Sequence, residues 1–157
     1  MPKRLKLYLE TSIFGFMVGT RQEPYTEAAV RLFREIHAGR VEAFTSTEVT
    51  RELGNAPEPL RADLLRLLRT HPLTELDVTG EARELAGQYV EAGIIPRKVE
   101  PDALHIAIAV VNNLDVVVSW NLEHIVKTRT RLGVNGINKF SGYREIDIAT
   151  PQEAISE

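Results

Sequence analysis

The chain has 157 residues, 43% of them apolar and 26% charged, enough for one globular core of ordinary size. A net charge of −3 does not mark a basic nucleic-acid binder, and the absence of cysteine excludes disulfides, thiolate zinc sites and thiol nucleophiles. No apolar run is long enough to span a bilayer, and the basic start Lys3-Arg4-Lys6 leads into an alternating pattern rather than a secretory leader; a single cytoplasmic domain over residues 1–157, with no membrane contact, is expected.

Leu5, Leu7 and Leu9 alternate with Lys6 and Tyr8, the period of a strand, and Glu10, Thr11 and Ser12 stand where it stops. PYTEAAVRLFREIHAGR then spaces Ala29, Leu32, Phe33 and Ile36 as a helix ended by Gly39. VEAFTS reads as a short strand and TEVTREL as a helix started from a Ser46 or Thr47 cap. EPLRADLLRLLRTH is an amphipathic helix through Leu60, Leu64, Leu67 and Leu68, stopped by Pro72. LTELDV reads as a short edge strand, and GEARELAGQYVEAG as a helix closed at Gly93. EPDALHIAIAVVNN is apolar nearly all round, which predicts a centrally buried helix. LDVVVSW reads as a buried strand, NLEHIVKTRTRLG as a helix with Gly133 past its end, and REIDIAT as a last strand before Pro151. There is no repeat, low-complexity tract or linker. The alternation predicts a three-layer α/β domain with a mainly parallel sheet flanked by helices.

In open parallel sheets, binding sites form beyond the carboxyl ends of the strands. Glu10 ends the first strand, Asn121 follows DVVVSW, and Glu52 lies on the helix after VEAFTS. Asp102 follows Pro101, a helix-opening residue, at the start of the most apolar helix. Each has an ordinary structural use. Glu10 can serve the positive end of a helix capped by Thr11 or Ser12, Glu52 can be a solvent-facing acid with Glu48 its rival one turn earlier, and Asp102 and Asn121 can be caps. Their shared place at one rim is the argument for a site, and clustered carboxylate oxygens suit Mg²⁺ or Mn²⁺. His105, inside the apolar helix, is expected to be a satisfied core histidine. His124, one helical turn past Asn121, reads either as facing the rim or as making a structural hydrogen bond, and Trp120 is expected to pack beneath the rim.

The stretches YLETSIF, STEVTREL, PDALHIAIA and VVSWNLEHI, in that order and spacing, resemble the PIN-domain nucleases, in particular those grouped with VapC-type toxins. The closing GYREIDIATPQE is similar to the tail of one PIN subgroup. The resemblance implies a PIN-like fold and a metal-dependent endoribonuclease with Mg²⁺ or Mn²⁺ as cofactor. It assigns the family's acids to Glu10, Glu52 (in preference to Glu48) and Asp102, and its fourth polar position to Asn121. Thr11 and Ser119 match supporting hydroxyl positions. It further implies an RNA substrate, a cognate antitoxin partner and a homodimer.

Two departures stand out: Glu10 replaces the usual aspartate and is one methylene longer, and Asn121 brings a neutral carbonyl where aspartate is frequent. Fewer charges weaken a second metal site, so activity is expected to depend on one principal ion. The rival reading is a catalytically weakened PIN-like module that binds RNA or a protein. A phosphatase or phosphoacceptor domain is disfavoured, because ETS offers no paired aspartates for a phosphorylated nucleophile.

Overall fold

The computed structural model describes residues 3–18 and 23–155. Among them, β1 (Leu5–Leu9), β2 (Val41–Ser46), β3 (Leu73–Leu76), β4 (Val116–Val118) and β5 (Asp147–Ala149) form one sheet in the order β3-β2-β1-β4-β5. All four pairings are parallel, so the sheet expected to be mainly parallel is wholly so, with LTEL at one edge. The helices are α1 (Ser12–Gly15), α2 (Tyr25–His37), α3 (Thr47–Leu53), α4 (Leu60–Thr70), α5 (Gly80–Glu91), α6 (Glu100–Val111), α7 (Thr128–Phe140) and α8 (Pro151–Ile155). No helix among the described residues is long and apolar enough to cross a membrane.

Burial follows the sequence pattern closely. Leu7, Tyr8 and Leu9 are all fully buried, as a central strand covered on both faces requires. On α6 every residue from Ala103 to Val110 is buried, as its all-round apolar character predicts. Each such isoleucine contributes about 1.5–3 kcal/mol relative to an exposed one. Ser46 caps α3, accepting from the Val49 amide at 3.3 Å, and Thr79 caps α5 through the Ala82 amide at 3.1 Å. Gly93, at φ 76°, takes the left-handed turn that ends α5.

One expected boundary is wrong. The helix read from Asn121 to a stop at Gly133 instead begins at Thr128 and runs through Gly133 to Phe140, after a stretch of turns from 122 to 127. The reason is local competition for amides. The Asn121 side chain takes the His124 N–H at 3.0 Å, and its carbonyl takes those of Ile125 and Val126 at 3.2 and 2.8 Å. Ile125 is at the same time fully buried, which anchors the turn to the core.

Gly133 therefore has a packing role rather than a terminating one. A Cβ there would meet Ile94 Cγ1 at 2.8 Å, with Cδ1 and Cγ2 at 3.0 and 3.1 Å. Alanine would gain about 1 kcal/mol of helix propensity but clash with three carbons that no single rotation clears. Gly133→Ala is expected to lower stability by up to about 2 kcal/mol net, read as a Tm drop of up to a few degrees in thermal denaturation.

The strand order also fixes where a site can form. The chain adds β2 and β3 on one side of β1, then crosses to build β4 and β5 on the other. The switch point lies between β1 and β4, and in parallel sheets it is beyond the carboxyl ends of the strands at such a point that ligands bind.

Candidate active site

Register brings the first two groups together. Leu9 pairs with Val118, so the next residues, Glu10 and Ser119, stand side by side, and the Glu10 amide continues the ladder to the Val118 carbonyl at 3.1 Å. Glu10 is buried, and its Oε1 accepts from Ser119 Oγ at 2.7 Å, Ser12 Oγ at 2.6 Å and the Ser12 amide at 3.2 Å. Ser12 Oγ also accepts from the Trp120 amide at 2.8 Å, tying α1 to the end of β4. Three donors on one oxygen hold this carboxylate in a single orientation.

Asp102 enters from the first turn of α6, where its side chain caps no amide. Its Oδ2 accepts from Asn121 Nδ2 at 3.2 Å, while the Asn121 amide donates to Ser119 Oγ at 2.9 Å. Burial raises the Asp102 carboxyl above its ordinary range, and the nearby Glu10 charge raises it further; Asn121, His105 and His124 act in the opposite sense. Glu10 thus stands close enough to Asp102 to disfavour its charge.

Glu52 comes from α3 and is held by different partners. Its Oε1 accepts from Thr11 Oγ1 at 3.0 Å and pairs with His105 Nε2. Burial alone would raise the Glu52 carboxyl, but the His105 hydrogen bond and charge, the Thr11 hydroxyl and Arg51 outweigh it, so the net direction is downward. His105 is fully buried, and its Nδ1 lies 2.6 Å from Tyr8 Oη, itself 2.7 Å from Ser46 Oγ. Burial alone would lower His105, yet Glu52's hydrogen bond, reinforced by the charges of Glu10, Glu52 and Glu48, carries it above its ordinary value. The expected satisfied core histidine is therefore present, and it also braces an acid at the rim. Burial lifts the Tyr8 hydroxyl well above its usual range, so it stays protonated.

Glu48, the rival acid, faces elsewhere. Its oxygens take Arg51 Nε at 3.1 Å and Arg51 Nη2 at 2.5 Å. A cleft of about 410 Å³ lies along that side of α3, lined by Glu48, Arg51, Arg83, Glu100, Pro101 and Leu104 among others, while Glu10, Glu52, Asp102 and Asn121 stand outside it. His124 lies in a turn rather than one helical turn past Asn121, with its Nε2 3.6 Å from Glu123 Oε1. Trp120 packs perpendicular to Tyr25 at 4.7 Å and against Phe16 at 5.9 Å, consistent with a place beneath the rim.

Sequence reasoning missed Tyr8, Ser12 and Ser46 as parts of this network. Only Ser12 left a signal, a hydroxyl two residues past a buried acid. The donor set matches a hydrated hard cation better than a caged one. Among the described residues no three His, Asp or Glu side chains stand together in ligand geometry, whereas Mg²⁺ and Mn²⁺ sites can be built from one or two carboxylates and several waters. Glu10 stands near enough to Asp102 to raise its carboxyl, Asn121 turns its Nδ2 to Asp102 while its Oδ1 takes the His124 amide, and Glu52 is braced separately by Thr11 and His105.

A family model described as "PIN domain" matches residues 7–124, a stretch that contains Glu10, Glu52, Asp102 and Asn121. No curated protein matches. Among solved structures, this chain is similar to VapBC2 from Rickettsia felis bound to a promoter DNA fragment, at 14% identity and TM-score 0.56, covering 93% of this chain and 98% of that one. It is also similar to Mycobacterium tuberculosis VapC20, described as a sarcin-ricin loop cleaving toxin, at 14% identity and TM-score 0.55, covering 89% and 98%. DNA-bound VapBC from Salmonella typhimurium is similar at 20% identity and TM-score 0.54, covering 94% and 98%. At these identities the likeness is one of fold.

Proposed function

This chain belongs to the PIN-domain family, and from that premise we propose that it is a metal-dependent endoribonuclease, the toxin of a type II toxin–antitoxin pair, acting in the cytoplasm as a homodimer. The observation that carries the reading is the meeting of Glu10 and Asp102 at the switch point of the parallel sheet, with Asn121 tied to Asp102. Glu10 and Asp102 would hold one principal Mg²⁺ or Mn²⁺, with Glu52 at the edge of the shell and Asn121 orienting Asp102. Such an ion, when bound, acidifies a water and offsets the charge that develops on the scissile phosphate.

The chain's own groups do the positioning. Ser12 and Ser119 aim Glu10, Asn121 aims Asp102, and His105 with Thr11 keeps Glu52 charged and fixed. His124, near enough to act on the Asp102 carboxyl, would meet a phosphate bound there. Arg51 and Arg83 line the neighbouring cleft and offer cations to a phosphate backbone that crosses the rim. The sarcin-ricin loop cleavage named for VapC20 supports RNA as substrate, and the VapBC complexes support an antitoxin partner.

The rival, a binding module without catalysis, draws on one observation: Glu52 is already paired, and among the described residues no three acids are grouped to hold a metal at the rim. The test is cleavage of varied single-stranded RNAs by the purified chain with Mg²⁺ or Mn²⁺, with and without EDTA. Cleavage that EDTA abolishes supports the nuclease; RNA binding without cleavage in either metal establishes the module.

The two α3 acids separate in the same assay. Glu52→Gln removes the charge that His105 and Thr11 hold at the rim, whereas Glu48→Gln removes only the partner of Arg51, whose side chain is 57% exposed. The loss of cleavage is expected to be at least about tenfold greater for Glu52→Gln, which corresponds to about 1.4 kcal/mol of transition-state stabilisation. A greater loss at Glu48 would transfer the assignment to that residue.

A further inference from the structure

Two histidines lie far from the acidic rim. His37 ends α2 just before β2, and His71 follows α4 just before β3. Because β2 and β3 are parallel neighbours, their amino-terminal ends adjoin, and the histidines meet across 34 residues of sequence at the edge of the sheet opposite the rim. His37 Nε2 lies 2.6 Å from His71 Nδ1, with the ring centroids 4.9 Å apart and the planes at 69°. The His71 ring rests on Phe33 at 4.5 Å, and Phe33 is itself buried in the core, so one of the two imidazoles is braced. A cleft of about 350 Å³ adjoins the pair, with His37, Glu42, Pro72 and Thr74 in its lining.

We propose that His37 and His71 form a transition-metal site, separate from the acidic rim, that takes Zn²⁺ or another imidazole-preferring divalent ion between their two facing ring nitrogens. For this hydrogen bond to exist, one ring nitrogen must present a bare lone pair and the other an N–H aimed at it. When the donor ring gives up this proton to solvent and takes one back on its other nitrogen, the two facing nitrogens both present lone pairs, and an ion entering there meets them directed at one point. Zinc–nitrogen bonds of about 2.0–2.1 Å at a tetrahedral angle place the nitrogens about 3.4 Å apart, so the pair must part by roughly 0.8 Å. His37 is exposed at a helix end and can swing that far while His71 stays on Phe33. Water fills the remaining positions from the adjoining cleft, where the Glu42 carboxylate is already paired with Arg4 at 3.3 Å.

Imidazole nitrogens suit zinc, nickel and copper, whereas magnesium and manganese favour oxygen donors, so the two ends of the sheet select different ions. The bound ion links the end of α2 to the entry of β3. The site exists only in the folded chain, so occupancy raises stability by mass action. None of this depends on the chain being a nuclease.

The test is calorimetric titration of the untagged full chain with ZnCl₂ in millimolar MgCl₂, which supplies the oxygen-lined rim with its preferred ion. One Zn²⁺ per chain is expected, retained in Asp102→Asn and weakened at least about tenfold in His37→Gln and in His71→Gln. ZnCl₂ should also raise the Tm of the parent, and this shift should vanish in the double histidine variant. A readout on the unsubstituted chain guards against misfolded variants: Zn²⁺ should move the imidazole nitrogen resonances of His37 and His71 and leave those of His105 in place. Absence of Zn²⁺ binding by the parent overturns the proposal, as do unchanged affinity in both histidine variants or resonance shifts confined to His124.

Discussion

Asp102→Asn is expected to cut metal-dependent RNA cleavage at least about a hundredfold while leaving the fold intact. The substitution removes a charge from the crevice and keeps nearly the same shape. Asparagine can still accept the Asn121 amide, so the local hydrogen bond survives. Losing a charged ligand costs several kcal/mol of transition-state stabilisation, well beyond the about 2.7 kcal/mol that a hundredfold represents. Stability should move the other way. Burial and the Glu10 charge raise the Asp102 carboxyl, so its contribution to stability is fully present below its unfolded pKa and is lost as pH rises through its folded one. At neutral pH the ionised group is therefore a burden on the metal-free chain, and the variant should melt no lower than the parent. Cleavage assays with and without EDTA, with circular dichroism melts on both chains, check the two halves together. Activity that persists unchanged in both EDTA and the variant would identify a contaminating nuclease. A variant with normal metal-dependent activity would remove Asp102 from the site.

His105→Ala is expected to be the more damaging change to the fold. The side chain is fully buried between Tyr8 and Glu52, so alanine leaves a cavity and strips partners from both. Cavity formation and the lost hydrogen bonds together cost about 2–4 kcal/mol, on the order of a 10 °C fall in Tm for a chain of this length. The pair also carries a pH signature. Glu52 is lowered from an ordinary 4.5, so its contribution is present above that value and is lost as pH falls through its folded pKa. His105 is raised from an ordinary 6.5, so its contribution is complete below that value and is lost as pH rises through its folded pKa. Their shared stabilisation is therefore complete between about pH 4.5 and 6.5 and declines on both sides. In His105→Ala that window should disappear from a plot of Tm against pH. A variant as stable as the parent at every pH would show that the buried chain from Ser46 through Tyr8 to Glu52 carries no stability.

Much of this molecule follows from local pattern. The alternation of Leu5, Leu7 and Leu9, the all-round apolar run of α6, the Ser46 cap and Gly93 are local facts, because each depends on neighbours within one turn or one pleat. The placement of Glu10 and Asp102 at element boundaries was equally legible, since Glu10 ends one apolar run and Asp102, behind Pro101, opens another. Tertiary structure decided what local pattern left open. Glu48 and Glu52 lie one turn apart on α3, and only the packing of α6 against β1 sends Glu52 to His105 while Glu48 turns to Arg51. The start of α7 was hidden because Asn121 and buried Ile125 hold residues 122–127 in turns against their helical pattern. His37 and His71 meet, and Glu10 faces Ser119, only because parallel strands align the ends of distant segments. Sequence encodes such contacts through the summed burial of the whole sheet, which no short window contains.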